Sequence, residues 1–184
     1  KKINKFSINK SILIYGPSGI GKNFIANKIH MQLSGNNPDT FINMSENLMN
    51  DTDLLKFSSL HSYFTIYLND YENFDKSDLL NYLNFIKNKT LNASIIIDTK
   101  NYINDDPILK DLDFKLHLNS LNNRKNEIFG IFEHYINIFF KKKFDKEIII
   151  DKEIANILLN HSWPGNIFEL MNICELITNK LSKD

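Results

Sequence analysis

The chain has only one cysteine and no long apolar run. A single cysteine, Cys174, excludes an internal disulfide and a cysteine zinc cluster, and fits a reducing compartment. No apolar run approaches the roughly 20 residues that a membrane span needs, and no cleavage site of small residues follows an apolar N-terminal stretch. We therefore expect a cytoplasmic protein without a membrane partner, in which Cys174 is a small buried apolar residue.

The chain also lacks an excess of charge of either sign. Its 22 basic and 22 acidic residues cancel, and the basic residues are scattered among acids. Such a chain has no broad positive field to attract nucleic acid, so direct DNA contact is not expected within these residues. Hydrophobic residues make up 42% of the chain, which is enough to bury a core.

Short apolar runs alternate with segments of helical periodicity in the first part of the chain. Strands are predicted at 11–15, 40–44, 63–68, 93–97 and 114–118, and helices at 22–33 and at 77–86 with Ser77 as N-cap. This alternation predicts a parallel sheet with crossover helices. From Arg124 onward only helices are predicted, at 125–143, 152–160 and 166–181. We expect an α/β core over residues 1–122 and a small helical subdomain over residues 123–184.

A glycine-rich turn joins the first predicted strand to the first predicted helix. It consists of Gly16, Pro17, Ser18, Gly19, Ile20, Gly21, Lys22 and Asn23. This order fits the phosphate-binding pattern G-x-x-x-x-G-K, and a strand before it and a helix after it are the context that the pattern requires. Backbone N–H groups and the helix N-terminus would face the phosphates of ATP or ADP, and Lys22 would reach the β and γ phosphates. The alternative is a relic of such a turn, which keeps the backbone conformation but no longer binds a nucleotide.

Two positions that normally bind Mg²⁺ carry unusual residues. Asn23 replaces the Ser or Thr hydroxyl after the lysine, so magnesium placement is expected to suffer more than nucleotide binding. The third apolar run ends in Asn69 and Asp70, where two carboxylates are usual. Asp70 is either the water-polarising acid or, with a shift of one residue, the magnesium ligand, in which case Tyr71 replaces the base. Either way one carboxylate is missing, and efficient hydrolysis is not expected; a solvated loop acid is the alternative interpretation of Asp70.

The C-terminal part carries the motifs that resemble a known family. Residues 161–170, HSWPGNIFEL, resemble the W-P-G-N-x-R-E-L signature in the lid of sigma-54-dependent transcription activators. Residues 118–128, LNSLNNRKNEI, are similar to their P-L-R-x-R-x-E-D-I segment, and residues 111–116, DLDFKL, to their D-L-Y-Y-R-L segment. The matches occur in the same order over nearly the whole chain. The resemblance implies a P-loop AAA+ core followed by an all-helical lid.

The residues of the lid signature also have an interpretation of their own. Trp163 is expected to anchor a pair of helices, and Pro164 and Gly165 to form a turn. Asn166 is expected to cap the last helix. These four residues are therefore interpreted as structural.

The chain departs from the family where the family's catalytic residues lie. The resemblance implies a sensor arginine at the position of Phe168 and arginine fingers at the positions of Leu109 and Lys115. Lys115 is an imperfect replacement, because a lysine lacks the planar guanidinium fork. The resemblance also implies a sensor at the strand end A-T-N, of which only the threonine remains, as Thr99. The family's G-A-F-T-G-A loop, which grips the sigma factor, has no room in this chain before the third strand.

Three functions remain open. The first is a degenerate AAA+ domain that binds ATP or ADP with weak or no hydrolysis and acts as a switch or scaffold. Its partners would be other subunits of a transcription complex or its own oligomer. The second is an active ATPase that uses Asn23, Asp70 and Lys115. The third is a protein-interaction domain that binds no nucleotide.

Overall fold

The structure of the protein, a computed structural model, describes residues 8–151 and 153–181. The strands are β1 (Ser11–Tyr15), β2 (Phe41–Met44), β3 (Phe64–Leu68), β4 (Ala93–Thr99) and β5 (Phe114–His117). The helices are α1 (Lys22–Leu33), α2 (Asp51–Leu60), α3 (Lys76–Asn88), α4 (Lys125–Phe144), α5 (Ile154–Asn160) and α6 (Asn166–Lys180). The chain forms two compact units. The sheet unit contains residues 8–16 and 22–118, and the helical unit contains residues 17–21, 119–151 and 153–181.

The sheet of the sheet unit is parallel, with the strand order β2-β3-β4-β1-β5. This confirms the predicted α/β architecture with crossover helices. Ile14 of β1 lies beside Asp98 of β4, and Leu68 of β3 lies beside Ile97. The carboxyl ends of β1, β3 and β4 therefore meet at one edge of the sheet, where parallel α/β folds bind their ligands.

Both faces of the sheet are covered by apolar side chains. Every residue of β3 is buried, as expected for a strand with helices on both sides. One face holds Ile12, Ile14, Tyr67 and Ile96 against Ala26 and Ile29 of α1. The other face packs a larger cluster that includes Leu13, Ile66, Ile97, Leu54, Leu79 and Ile86. Helix α1 therefore covers the face on which the even-numbered residues of β1 and β4 lie.

The predicted elements differ from the structure mainly at capping residues. The prediction of Ser77 as an N-cap was wrong, because α3 begins at Lys76 and the Asp75 carboxylate accepts the N–H groups of Ser77 and Asp78. Helix α2 was not predicted, since Leu54 is its only buried residue and its apolar periodicity is weak. Its start depends on Asn50, whose side chain accepts the N–H of Asp53 at 2.9 Å.

The helical unit packs α4, α5 and α6 around one core. Its buried residues include Leu121, Ile128, Phe132, Leu158, Trp163, Leu170 and Cys174. Cys174 is fully buried, as predicted, and burial raises the pKa of its thiol to about 12. The helix predicted at 152–160 begins at Ile154 in the structure, and Lys152 lies outside the described residues. In the part of the chain that the structure describes, no helix has the length and apolarity needed to cross a membrane.

His30 of α1 is buried in the sheet unit and has a fixed tautomer. Its Nε2 lies 2.7 Å from the carbonyl oxygen of Asn37, which only accepts, so Nε2 carries the proton. Its Nδ1 lies 2.9 Å from the hydroxyl of Thr65 and accepts from it. Burial lowers the pKa of His30, and the bond to Asn37 offsets part of that effect.

This lowered pKa predicts an acid-sensitive fold. A histidine whose pKa is lower in the folded state than in the unfolded chain costs no stability above the unfolded pKa of about 6.5. As pH falls through about 6.5 toward the folded pKa, the unfolded chain takes up the proton first, and the free energy of unfolding decreases. Urea unfolding between about pH 8 and pH 5 should show this decrease. The variant His30→Gln should flatten the profile, and an equally steep profile in that variant would contradict the assignment.

Candidate functional site

The glycine-rich turn that follows β1 has the backbone conformation that its glycines predict. Gly16, Gly19 and Gly21 have φ angles of +152°, +73° and +93°. A Cβ atom at Gly16 would lie 2.3 Å from the carbonyl oxygen of Leu118, so this position excludes any side chain. A Cβ atom at Gly21 would meet a single atom within 4 Å, Cδ1 of Ile167 at 3.9 Å. Packing therefore leaves the space beside Gly21 open, and its φ angle requires the glycine.

Residues 17–21 of this turn are held by the start of α6 within the helical unit. The N–H of Phe168 donates to the carbonyl of Gly19 at 3.0 Å. The amide Nδ2 of Asn166 donates to the carbonyl of Ser18 at 2.9 Å. A Cβ atom at Gly19 would lie 2.3 Å from the carbonyl oxygen of Gly165. The W-P-G-N segment thus fixes the shape of the turn.

The residues of the W-P-G-N segment confirm two of the three predicted roles. The indole N–H of Trp163 donates to the carbonyl of Leu158 at 2.7 Å, and the ring is buried between the helices. Pro164 and Gly165 form a turn closed by the N–H of Asn166 and the carbonyl of Trp163 at 2.9 Å. The third prediction was wrong, because the side chain of Asn166 does not cap α6. Its Oδ1 accepts the N–H of Leu121 at 2.8 Å, and its left-handed backbone turns the amide toward Ser18.

Lys22 is the first residue of α1 and is almost fully buried, with 8% of its surface exposed. Its ammonium donates to the carbonyl of Gly16 at 3.3 Å. The next residue, Asn23, is exposed. The buried ammonium and the N-terminus of α1 together form a positive site at the carboxyl end of β1.

The end of β3 carries the amide and the carboxylate that the sequence predicts there. The Asn69 side-chain oxygen lies 3.2 Å from the Tyr67 hydroxyl oxygen. Asp70 has a left-handed backbone, with φ of +56°, and its N–H donates to Oδ1 of Asp98 at 2.5 Å. The Tyr71 hydroxyl donates to Asp106 at 2.8 Å, and burial is the main cause of its raised pKa. In the sequence analysis Tyr71 was named as a possible replacement for the catalytic base. In the structure its hydroxyl is instead a hydrogen-bond donor to Asp106.

Asp98 is the residue of this edge that the sequence analysis missed as a site residue. It is 1% exposed, and its Oδ2 accepts the Tyr67 hydroxyl at 2.7 Å. Burial raises the pKa of Asp98, while the bonds from Tyr67 and Asp70 and the charge of Lys22 offset part of the rise. A signal was present in the sequence, because the apolar run 93–97 is followed directly by an acid, as the run of β3 is followed by Asn69 and Asp70.

Thr99, the predicted sensor, bonds to a second carboxylate that the sequence analysis missed. Its hydroxyl donates to Oε1 of Glu72 at 2.6 Å, and the N–H of Lys100 donates to the same oxygen at 2.9 Å. Burial alone would raise the pKa of Glu72, but these hydrogen bonds outweigh it, and the pKa lies below its usual value. The edge of the sheet therefore brings together Lys22, Asp70, Asp98, Thr99 and Glu72.

The two positions at which the resemblance implies fingers have other contacts within the sheet unit. The Lys115 ammonium donates to the Tyr102 hydroxyl at 2.6 Å and to the carbonyl of Lys110 at 2.9 Å. Leu109 is buried in the core of the sheet unit. Within residues 8–151 and 153–181, no group of three or more His, Cys, Asp or Glu residues is arranged to hold a metal ion.

Solved structures with the same fold define the class of the protein. NtrX from Brucella abortus in complex with ATP superimposes with a TM-score of 0.73 and 20% identity, over 96% of this chain and 48% of that chain. The same protein in complex with ADP also superimposes with a TM-score of 0.73 and 20% identity, over 94% of this chain and 46% of that one. The chain therefore has the α/β P-loop fold of AAA+ proteins.

Sequence comparisons then give matches to two family models and to relatives of the NtrX type. Residues 1–63 match the sigma-54 interaction domain, and residues 122–183 match the AAA+ ATPase lid domain. A putative response regulator, NtrX-like, of Rickettsia felis is 26% identical over 213 residues, which cover 96% of this chain and 45% of that protein. Together these matches support a AAA+ domain of the sigma-54-activator type, as the resemblance predicted. The chain spans about half the length of these relatives.

Proposed function

We propose that this domain binds ATP or ADP at residues 16–23 and acts as a nucleotide-dependent switch or scaffold in a transcription regulator, with weak or no hydrolysis. One observation carries the proposal: a turn framed by glycines leads into the buried Lys22, while strand β3 of the same sheet ends in one amide and one carboxylate. The first half of this arrangement is suited to phosphate, and the second is poorly suited to the activation of water.

The residues of the turn fit a phosphate group. Gly21 has the φ angle that turns a backbone N–H toward a ligand, and open space lies where a side chain would stand. Lys22 begins α1, so its ammonium adds to the positive end of the helix dipole. The similarity to NtrX of Brucella abortus, which was solved with ATP and with ADP, supports the same ligands for this chain.

Weak hydrolysis is proposed from the residues around the turn. A nucleotide with Mg²⁺ would find the exposed Asn23 amide and the Asp70 carboxylate as ligands, which is a sparse set for a hard cation. Thr99 is already bonded to Glu72, Lys115 is bonded within its own unit, and Phe168 is 62% exposed where an arginine is implied. This arrangement favours binding over turnover.

The proposed partners rest on the similarity to sigma-54-dependent activators and on the absence of their gripping loop between β2 and β3. Helix α2 is the only helix between β2 and β3, where the family carries its gripping loop. The match to the Rickettsia felis relative runs over 213 residues, more than the 184 of this chain, so that relative has residues without a counterpart here. We propose a cytoplasmic location and contacts with subunits of a transcription complex or with further copies of the domain. The functional division would be a core over residues 1–122 and a lid over residues 123–184.

The proposal is tested by calorimetric titration with ADP and ATP, with and without Mg²⁺. The variant Lys22→Ala should weaken binding about 10- to 100-fold, because it removes a charge-assisted contact to phosphate. Lys28→Ala is the matched control, since Lys28 lies on the same helix with its ammonium over the Phe24 ring. Equal affinity in Lys22→Ala and wild type, or no binding by the wild type, would contradict the proposal.

A turnover assay separates a switch from a motor. We expect release of phosphate to stay at background when ATP and Mg²⁺ are saturating. Steady turnover that disappears in Lys22→Ala would instead favour an active ATPase that completes its site with Asn23, Asp70 and Lys115.

A further inference from the structure

The strand β4 places a buried carboxylate in the positive site at the start of α1. Asp98 lies on the sheet face that α1 covers, because it follows Ile96 by two residues and Ile96 packs against that helix. Ile14 is its neighbour on β1, close to the end of the strand that leads into the glycine-rich turn. The Lys22 ammonium donates to the carbonyl of Gly16, and the N–H of Gly16 donates to the carbonyl of Thr99, the residue after Asp98, so the charge of Lys22 lies close enough to act on Asp98. One negative group of the protein itself therefore already lies in the field that would attract phosphate.

Two hydrogen bonds hold the Asp98 carboxylate in this position. Its Oδ2 accepts the Tyr67 hydroxyl and its Oδ1 accepts the N–H of Asp70. Both donors come from the end of β3, so the carboxylate cannot turn toward solvent without losing them. With 1% of its surface exposed, Asp98 is poorly screened by water, and its charge acts strongly over short distances.

We propose that Asp98 is an internal anion that competes with nucleotide phosphate for the charge of Lys22 and thereby lowers the nucleotide affinity of this domain. The proposal rests on the nucleotide binding proposed above. Asp98 acts through Lys22 and through repulsion of the phosphates, so it is a positioning residue. A domain with such an anion binds nucleotide more weakly than its glycine-rich turn would without it. A weaker affinity lets the bound fraction change with the nucleotide concentration, as a sensor of that concentration requires.

The variant Asp98→Asn isolates this charge, because the hydrogen bonds around it can reverse. The side-chain oxygen of the substituted residue would still accept the N–H of Asp70. Its amide would donate to the Tyr67 hydroxyl, whose own proton can then point to the Asn69 oxygen, now 3.2 Å away. The shape and the number of hydrogen bonds are kept, and only the negative charge is lost.

The first measurement is calorimetric titration of the whole chain with ADP and with ATP, each with and without Mg²⁺. Asp98→Asn should bind both nucleotides about tenfold more tightly than the wild type, as removal of a poorly screened like charge implies. Asp113→Asn is the matched control. Asp113 accepts from Ser11 and Lys10 at the opposite edge of the sheet, and its loss should leave affinity unchanged.

The outcomes separate this inference from the proposed function. Tighter binding in Asp98→Asn, or binding that appears only in Asp98→Asn, supports the inference. Unchanged or weaker binding beside a wild type that binds overturns it and leaves nucleotide binding in place. A selective loss of Mg²⁺-nucleotide binding also overturns it, since Asp98 would then act as a metal ligand. Absence of binding in both proteins overturns the inference and the proposed function together.

A second measurement needs no nucleotide. Lys22→Ala should raise the unfolding equilibrium constant more in the wild type than in the Asp98→Asn background, by about tenfold, because only the wild type loses the attraction between the two charges. The bond from Lys22 to Gly16 is lost in both backgrounds and cancels. A merely structural role of Asp98 would produce no such coupling, and equal effects in the two backgrounds would overturn the proposal.

Discussion

Replacement of Trp163 by alanine is expected to destabilise the helical unit by about 3–5 kcal/mol. The indole is buried among α4, α5 and α6, and it is 3% exposed. Its removal leaves a large cavity and also leaves the carbonyl of Leu158 without the N–H that lies 2.7 Å from it. Urea unfolding followed by far-ultraviolet circular dichroism would measure the loss.

The variant Trp163→Phe separates packing from hydrogen bonding. A phenyl ring retains much of the apolar volume and loses the indole N–H, so a smaller loss of about 1–2 kcal/mol is expected. If Trp163→Ala and Trp163→Phe were equally stable, the ring would not be a core residue of this unit.

Replacement of Asn166 by alanine is expected to cost about 2–4 kcal/mol. The change leaves the buried N–H of Leu121 without its acceptor and removes the bond to the carbonyl of Ser18. It also places a Cβ-bearing residue without a polar side chain at a φ of +54°. The chain has one tryptophan, Trp163, so its fluorescence during urea unfolding reports on the same unit.

The variant Asn166→Gly divides this cost into its two causes. Glycine adopts the left-handed conformation without strain, so Asn166→Gly should be about 1 kcal/mol more stable than Asn166→Ala and still less stable than the wild type. If the glycine variant matched the wild type, the two hydrogen bonds of Asn166 would contribute nothing, and strain alone would explain the alanine variant.

Local patterns predicted much of the fold because they depend on neighbours in the chain. The bounds of β1 and α1 agree with the prediction, since an apolar β-branched run followed by glycines and then by a helical period is a local signal. Helix α2 and the cap at Asp75 were missed for a local reason as well. One buried leucine gives too weak a period, and two polar residues close together, Asp75 and Ser77 around Lys76, offer competing N-caps.

The order of the strands in the sheet could not be predicted from such signals. Strand β1 lies between β4 and β5, so residues far apart in the chain become neighbours at one edge. The bond from Asp70 to Asp98 joins residues 28 positions apart. The bonds of Asn166 reach 45 positions to Leu121 and 148 positions to Ser18. A sequence motif shows that a residue is polar and where its strand or helix ends. It does not show which distant residue will form a hydrogen bond with it.

The sequence alone determined that this protein has a glycine-rich turn between a strand and a helix, a parallel sheet and a helical C-terminal part, because each depends on spacing within a short segment. It also carried the signature of the family. Tertiary structure alone decided that Asp98 shares a site with Lys22 and Asp70, and that Asn166 holds the turn instead of capping a helix. Those contacts exist only after the sheet has paired its strands out of sequence order and each buried polar group has found its partner.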